Sequence, residues 1–349
     1  MNKQSLISEA LSKYTYKDIA NKLNVANGTV KRWIDLNKVP RSYEFDLMKI
    51  CNITIDYSLY NSKDKDQFFT PPNTVKYCYN KVYEIINELG DDISTYNFIE
   101  PSAGDGAFLN VLPLSKTTAL DIEPQSSTTN EHICKNIIKC DYLEWSPVNK
   151  EKNIVIGNPP FGLRGNMALR FINHSFDFAD YVCFILPQLF ESDGKGVPRK
   201  RVKGYNLIHS EKLDTHFYEP SKTEVKVNCI FQIWSKYKTN NKYEIKKQDN
   251  SIIKIYSLSD GGTPSTTRNK NMHYKCDIYI PSTCYGEDNM KYYNTFNELP
   301  RKKGYGIVFN KNREENLNKF RQIKWSDIAF LSTNSAYNIR TSQIMEHFM

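Results

Sequence analysis

The chain has 349 residues, of which 40% are hydrophobic, and it carries a net charge of +8. This length suits two or three domains, each with a core of its own. The sequence contains no run of about 18 apolar residues, and its polar start lacks the apolar stretch of a secretory signal. We therefore expect a cytoplasmic protein with no membrane contact. The eight cysteines form no CxxC pair and no histidines cluster near them, so the sequence predicts no metal site.

The basic charge is concentrated towards the two ends of the chain. Residues 1–66 and 236–349 carry more basic than acidic side chains, whereas residues 67–235 carry a slight acidic excess. A polyanionic partner held by the two flanking segments explains this distribution. An ordinary solvated surface explains it equally well.

Residues 1–60 predict a small helical domain. The apolar positions of TYKDIANKLNVANGTVKRWIDLNKVP suit two short helices around a tight turn. Asn24 is expected at the turn, where Asn tolerates a left-handed conformation, and Asn27 is expected to cap the second helix. The outer face of that helix would present Lys31 and Arg32 to DNA, as in a helix-turn-helix. The alternative is a helical bundle used for packing or dimerisation. The polar stretch 61–67 is a candidate linker.

Residues 67–236 alternate between strand-like and helix-like stretches. Helices are predicted between the strands, for example at 75–89 and 167–178. This alternation predicts a doubly wound α/β sheet, and continuous apolar runs such as IVIG and YVCFIL suit strands covered on both faces. The predicted strands are 98–99, 119–122, 137–138, 154–156, 182–186, 214–217 and 228–234.

Ligand-binding residue types follow the first three predicted strands. Residues 100–109 read EPSAGDGAFL, which predicts a strand end, a glycine turn and the start of a helix suited to a negatively charged group. Asp121 ends the second strand with an acid that can hold ribose hydroxyls, and Ile122 can pack on an adenine ring. Asp141 can accept from an exocyclic amine, with Tyr142 against the ring. Each of these signals is weak by itself.

The strongest signal is GNPPFG at residues 157–162, directly after the fourth predicted strand. Pro159 and Pro160 fix the backbone, so a rigid loop is expected at the carboxyl end of a strand, where open α/β sheets bind ligands. An aromatic amine is a poor nucleophile because its lone pair is delocalised into the ring. The Asn158 side-chain carbonyl and the Pro159 backbone carbonyl can each accept one N–H from it. Phe161 can stack on an extruded base.

Together, these stretches resemble the amino-methylating DNA methyltransferases, in particular the adenine-N6 group whose cofactor motifs precede the target-recognition domain. The resemblance covers residues 67–235. It implies a Rossmann-like S-adenosylmethionine-dependent methyltransferase fold with a seven-stranded, mostly parallel sheet, and S-adenosyl-L-methionine as the cofactor. The reaction loop would be Asn158, Pro159, Pro160 and Phe161. The residues predicted to bind the cofactor are Phe69, Thr70, Glu100, Pro101, Ser102, Ala103, Gly104, Gly106, Asp121, Ile122, Asp141 and Tyr142.

The resemblance also implies partners. It implies double-stranded DNA, methylated at adenine N6 by base flipping and direct transfer, within a restriction-modification system that includes a cognate restriction endonuclease. Residues 237–349 are expected to form a smaller C-terminal DNA-recognition domain. Phosphate contacts are expected from the basic loop 193–203, with a solvated flexible loop as the alternative. Its candidate residues are Lys195, Arg199, Lys200, Arg201 and Lys203.

Other functions remain open at this point. Enzymes that methylate RNA or a protein glutamine side chain share loops of the NPPF type, and cytosine N4 requires the same amine chemistry. A non-enzymatic regulator with a relict cofactor domain is a third alternative. The chain contains no Pro-Cys dipeptide, which argues against a cysteine-nucleophile cytosine-C5 enzyme.

Overall fold

The structure is a computed structural model. It describes residues 3–23, 25–62, 64–124, 136–148, 151–192, 197–244, 251–264, 266–332 and 335–348. The chain forms two compact units. One comprises residues 1–69 and 218–223, and the other comprises residues 70–217 and 224–349. No described helix combines the length and the apolar character needed to cross a bilayer.

The first unit is helical. Its helices are α1 (Lys3–Lys13), α2 (Tyr16–Lys22), α3 (Asn27–Asp35) and α4 (Glu44–Ile50), and short 3₁₀ turns precede and follow α4 at Arg41–Tyr43 and Tyr57–Leu59. Helix α1 packs against α4 and α2 packs against α3. Their apolar faces enclose a core that includes Leu6, Ile19, Val30, Trp33 and Leu47. The two predicted helices are therefore present.

The N-termini of α2 and α3 are built differently. Helix α2 begins with a capping box, in which Asp18 N–H donates to Thr15 Oγ1 over 3.2 Å and Thr15 N–H donates to Asp18 Oδ2 over 3.1 Å. Helix α3 begins after Ala26, which provides no side-chain hydrogen bond. The predicted cap at Asn27 is wrong, because Asn27 is already the first helical residue. Asn24, predicted at the turn, lies outside the described residues.

The second unit contains most of the strands and the other helices of the residues that the structure describes. The helices are α5 (Pro72–Glu88), α6 (Asn166–Ser175), α7 (Arg313–Gln322), α8 (Trp325–Ile328) and α9 (Thr341–Met345). The strands of the chain are β1 (Asn97–Glu100), β2 (Thr117–Asp121), β3 (Ile138–Lys139), β4 (Asn153–Gly157), β5 (Tyr181–Pro187), β6 (Asn206–Leu213), β7 (His216–Tyr218), β8 (Glu224–Lys226), β9 (Cys229–Ser235), β10 (Ile253–Ser259), β11 (Ile278–Ile280), β12 (Thr283–Cys284), β13 (Lys303–Phe309), β14 (Phe330–Leu331) and β15 (Tyr337–Asn338).

The main sheet has seven strands in the order β3-β2-β1-β4-β5-β9-β6. Neighbouring strands are parallel from β3 to β5, whereas β9 is antiparallel to both β5 and β6. This strand order, with a single reversed strand beside the edge, is that of the Rossmann-like methyltransferase fold. The predicted fold class is confirmed. The order reverses between β1 and β4, so ligands are expected beyond the carboxyl ends of these two strands.

Burial explains which strands the sequence reveals. Every residue of β4 and β5 is buried, as the apolar runs predict. The strand predicted at 214–217 is wrong as a member of the main sheet. The sheet is completed instead by Asn206–Leu213, a partly exposed edge strand paired with β9.

The C-terminal part of the second unit contains two small antiparallel sheets, ordered β10-β13-β11 and β12-β15-β14. Helices α7, α8 and α9 contribute to the same apolar cluster as these strands, which includes Ile278, Ile307, Phe320, Trp325 and Ile344. A second cluster is centred on Leu258, Tyr279, Phe296 and Leu299.

Candidate functional site

The loop after β4 begins at the reversal point of the sheet. Asn158 is half-buried there, and its Nδ2 donates to Thr70 Oγ1 over 3.2 Å. The Thr70 side chain is only 6% exposed, which holds its hydroxyl in place. With the amide nitrogen directed to Thr70, the side-chain oxygen of Asn158 is turned away from it. This is the orientation in which Asn158 Oδ1 can accept an N–H from an amine.

The rest of the loop is fixed by helix α6. The Phe161 carbonyl accepts from Met167 N–H over 3.1 Å and from Ala168 N–H over 3.3 Å. Gly162 has a φ of +65°, and a Cβ there would lie 2.7 Å from Met167 Cβ, so a side chain does not fit. Pro159 is buried and Pro160 is half-buried. The backbone that presents the Pro159 carbonyl is therefore rigid on both sides.

The Phe161 side chain is half-buried. It also has no aromatic partner within the described part of the chain. An aromatic ring in this position, directly after two fixed prolines, can offer a face to a planar ligand. The structure thus leaves the predicted stacking role of Phe161 feasible.

The glycine turn after β1 is closed by hydrogen bonds to β2. Ala103 N–H donates to Leu120 O over 2.9 Å, and Gly104 N–H donates to Asp121 Oδ2 over 2.8 Å. The other oxygen of Asp121 accepts from Glu123 N–H over 2.7 Å. Asp121 is half-buried at the end of its strand, as is its neighbour Ile122. The Asp121 carboxylate therefore ties the glycine turn to the second strand.

The predicted helix after the glycine turn is wrong. Only a 3₁₀ turn, Phe108–Asn110, follows Gly106. A single turn lacks the aligned peptide dipoles of an α-helix. Any ligand bound here must be held by side chains and by individual backbone N–H groups.

The two loops are joined directly. Ser102 Oγ donates to the backbone carbonyl of Asn158 over 3.2 Å. Pro101 and Ala103, on either side of Ser102, are buried, which limits movement of the turn. The predicted cofactor turn and the predicted reaction loop are therefore in direct contact.

A buried acid lies between these loops. Glu100 is 1% exposed, and its Oε1 accepts from Ser102 N–H over 3.3 Å. Its Oε2 is buried and has no hydrogen-bond partner among the described residues. Gly157 makes room for this carboxyl, because a Cβ there would lie 2.7 Å from Glu100 Cδ. Burial raises the pKa of Glu100 well above its usual range.

A buried carboxyl oxygen without a partner is costly. A cationic ligand group that donates to this oxygen removes the cost and favours the ionised form of the carboxyl. Glu100 therefore suits a ligand that carries an ammonium group, and the half-buried Asp121 suits hydroxyl groups. This donor set fits a cofactor made of an amino acid joined to a nucleoside.

The third predicted motif is only partly at the site. Asp141 is half-buried, and its Oδ1 accepts from Leu143 N–H over 3.0 Å. Tyr142 is 2% exposed, and its hydroxyl is hydrogen-bonded to Ser175 Oγ over 2.7 Å. Its ring packs on Phe171 in the main core. Contrary to the prediction, the structure makes Tyr142 a core residue, so its ring is not presented to a cofactor.

The predicted phosphate contacts are divided by the structure. Lys195 lies outside the described residues, whereas Lys200, Arg201 and Lys203 are exposed. Arg199 is half-buried, and its guanidinium donates to the Glu191 carbonyl over 3.2 Å and to the Tyr243 carbonyl. The structure therefore gives Arg199 a structural role rather than the predicted contact with phosphate.

Three predicted residues belong to the first unit. Lys31 and Arg32 are exposed on α3, and Lys31 Nζ lies 4.8 Å from the centre of the Tyr16 ring. Phe69 pairs through its backbone with Tyr218. Phe69 is the last residue of the first unit before Thr70, which belongs to the second unit.

Two residues near the reaction loop were missed by the sequence reasoning. Gln188 follows β5, is 7% exposed, and has a buried Oε1 without a partner among the described residues. Arg164 lies three residues after Phe161 and has a left-handed backbone with a φ of 54°. Residue type alone gives no signal for either, because burial and backbone conformation distinguish them.

The chain matches no family model, and no curated protein sequence is significantly similar to it. A Pyrococcus horikoshii protein assigned as an RNA methyltransferase is similar in structure, with 18% identity, a TM-score of 0.37, and coverage of 48% of this chain and 86% of that chain. A type I restriction-modification structure is similar with 13% identity, a TM-score of 0.34, and coverage of 57% and 47%. A DrdV–DNA complex is similar with 13% identity, a TM-score of 0.38, and coverage of 67% and 35%. Sequence identities and TM-scores this low do not distinguish between substrates.

Proposed function

We propose that the chain transfers a methyl group from S-adenosyl-L-methionine to the N6 amino group of adenine in a specific duplex DNA sequence. The observation that carries the proposal is the orientation of Asn158, whose amide nitrogen is held by Thr70 beside the reversal point of the sheet. That orientation supports a role for the side-chain oxygen as the acceptor of an N–H from the target amine. The adjoining Pro159 carbonyl is fixed by the same loop.

The donor set fits the cofactor. Glu100 Oε2 suits the α-ammonium group, Asp121 suits the ribose hydroxyls, and Asp141 suits the adenine amine. When bound, S-adenosyl-L-methionine supplies an electrophilic methyl group on a sulfonium. Ser102 keeps the cofactor turn and the reaction loop at a fixed separation through its bond to the Asn158 carbonyl.

The protein's own contribution to the reaction is orientation. The Asn158 side-chain oxygen and the Pro159 carbonyl each accept one N–H of the target amine. Two such bonds rotate the amine's lone pair out of conjugation with the ring and direct it to the methyl group. Phe161 offers a stacking face to the extruded adenine. The steps require no nucleophile from the protein, because the amine attacks directly.

Exposed cations suit a nucleic-acid partner. In the second unit Lys200, Arg201 and Lys203 can contact phosphates, and we propose residues 237–349 as the target-recognition region. In the first unit Lys31 and Arg32 lie exposed on α3, and we propose that this helix-turn-helix adds DNA contacts for sequence specificity or for regulation. We also propose a restriction-modification setting with a cognate endonuclease, on the family resemblance alone.

Mapping of modified bases tests the proposal. The chain is expressed in cells that lack adenine methylation, and genomic DNA is read by long-read sequencing. We expect N6-methyladenine in a single sequence motif. The Asn158→Ala variant should leave the motif unmodified, whereas the matched Asn87→Ala variant, at an exposed site on α5, should modify it fully.

The alternatives give different outcomes in the same cells. Methylated cytosine in the motif would point to N4 transfer. Unmodified DNA together with methylated RNA, or with a methylated protein glutamine, would overturn the proposal in favour of those substrates. A protein that binds DNA without modifying any macromolecule would support the regulator instead.

A further inference from the structure

A short turn directly after the reaction loop has an unusual backbone. This turn, Leu163–Gly165, contains Arg164 with φ 54° and ψ 33°. A left-handed conformation costs a residue with a side chain about 1 kcal/mol or more, and glycine avoids that cost. The chain nevertheless has arginine at this position. Backbone strain of this kind concentrates at functional sites, provided the surrounding structure enforces it.

Packing on both sides enforces the conformation. Gly165 has a φ of +72°, and a Cβ there would lie 2.8 Å from Phe190 Cε2. Gly165 N–H also donates to Gly162 O over 3.2 Å, which closes the turn. The turn is therefore held between helix α6 and the segment after β5, and the direction in which Arg164 leaves the surface is set by the backbone.

The turn presents one apolar and one cationic side chain. Leu163 is 48% exposed, and Arg164 is exposed. Arg164 has no hydrogen-bond or ion-pair partner among the described residues. An exposed arginine on a strained and rigid turn is thus available to an external anion.

A second cation lies beside the turn. The 3₁₀ turn Pro198–Arg201 packs against α6, and Pro198 Cγ would lie 3.4 Å from a Cβ at Gly165. Arg201 Nη2 donates to Asn166 Oδ1 over 3.4 Å, so its guanidinium lies next to the residue that follows Gly165. Two arginines from different segments therefore flank the start of α6.

We propose that Arg164 and Arg201 together hold a backbone phosphate of the strand that carries the target base. This inference rests on the proposed function. The phosphates of a base stacked on Phe161 lie within the length of one nucleotide from the ring. They are therefore close to the turn, which begins two residues after Phe161. Guanidinium groups bind phosphate oxygens in a bidentate geometry. A fixed backbone reduces the ordering that binding requires. Arg164 is thus a positioning residue for the extruded nucleotide.

Salt-dependent binding tests the proposal. Arg164→Asn removes the charge and keeps a residue type that tolerates a left-handed backbone, whereas Arg164→Lys keeps the charge. Lys222→Asn is the matched control, because Lys222 is also an exposed cation with a positive φ of 62°. The affinity for a duplex that contains the motif found by base mapping is measured at several salt concentrations from low to high. The affinity for the cofactor is measured as well.

We expect Arg164→Asn to weaken duplex binding roughly ten-fold at low salt and to reduce the slope of log K against log salt by about 0.9. Arg164→Lys should recover the slope, and cofactor affinity should equal that of the wild type. Wild-type affinity and slope in Arg164→Asn, or an equal loss in Lys222→Asn, would overturn the proposal. If either outcome is found while the wild-type protein methylates duplex DNA, only the phosphate contact is refuted and the proposed function stands. A wild type that neither binds nor methylates duplex DNA overturns the proposed function as well.

Discussion

Substitution of Gly162 by alanine should disable the reaction loop. Gly162 has a φ of +65° and a ψ of 176°, a backbone region almost restricted to glycine, so alanine there carries a penalty of about 1–3 kcal/mol. Its Cβ would also lie 2.7 Å from Met167 Cβ and 2.9 Å from Met167 N, and such overpacking costs about 1–3 kcal/mol. The free energy of unfolding should therefore fall by roughly 2–6 kcal/mol, the sum of the two penalties.

A matched variant separates these two contributions. Gly90 has a φ of +79°, and a Cβ there would have no other atom within 4 Å, so Gly90→Ala should lose only the conformational part, about 1–2 kcal/mol. Denaturant titration gives both stabilities, and the initial rate of methyl transfer gives the effect on the loop. Gly162→Ala should lose most of its activity under conditions in which it is still folded, because the Phe161 carbonyl must move with residue 162. Equal stabilities and equal rates for the two variants would refute the reasoning.

Two further variants test the neighbours of the loop. Thr70→Val removes the acceptor for Asn158 Nδ2, so we expect kcat to fall about five-fold, which corresponds to the loss of one hydrogen bond. Thr70→Ser should retain the wild-type kcat. A wild-type kcat for Thr70→Val would argue against the role of Thr70 in orienting Asn158. The pKa of Glu100 is raised in the folded protein, so above pH 4.5 the unfolded chain loses the Glu100 proton before the folded chain does. The free energy of unfolding without cofactor should therefore fall as the pH rises towards the folded pKa. Glu100→Gln should remove that part of the pH dependence of the unfolding free energy and weaken cofactor binding; an unchanged pH profile would contradict the burial of a protonated acid.

The sequence predicts the sheet where its strands are uniformly buried. The runs in β4 and β5 are apolar throughout, so they are recognised without tertiary information. Strand β6 was missed because NLIHSEKL mixes apolar, charged and half-exposed positions at the sheet edge. The small C-terminal sheets were missed because four of their six strands have only two or three residues, and because their pairing is set by contacts distant in sequence.

The sequence also predicts which loops lie together, but it does not predict the hydrogen bonds that orient their side chains. Residues after the parallel strands share one edge of the sheet, and for this reason the glycine turn and the reaction loop could be placed together. The bonds that orient Asn158 join it to Thr70 and Ser102, which are 88 and 56 residues away in the chain. The inward rotation of Tyr142 likewise depends on Ser175 in α6, which residue order does not reveal.

The central claim is that Asn158 and Pro159 present two carbonyl oxygens to the exocyclic amine of adenine. The most direct test incubates purified protein with duplex DNA and isotopically labelled S-adenosyl-L-methionine, then identifies the labelled nucleosides by mass spectrometry. We predict label only in N6-methyldeoxyadenosine, and an initial rate for Asn158→Ala that is lower by roughly 10²-fold or more, with unchanged cofactor affinity. Full activity of Asn158→Ala, or label at any other atom of the DNA, would contradict the account.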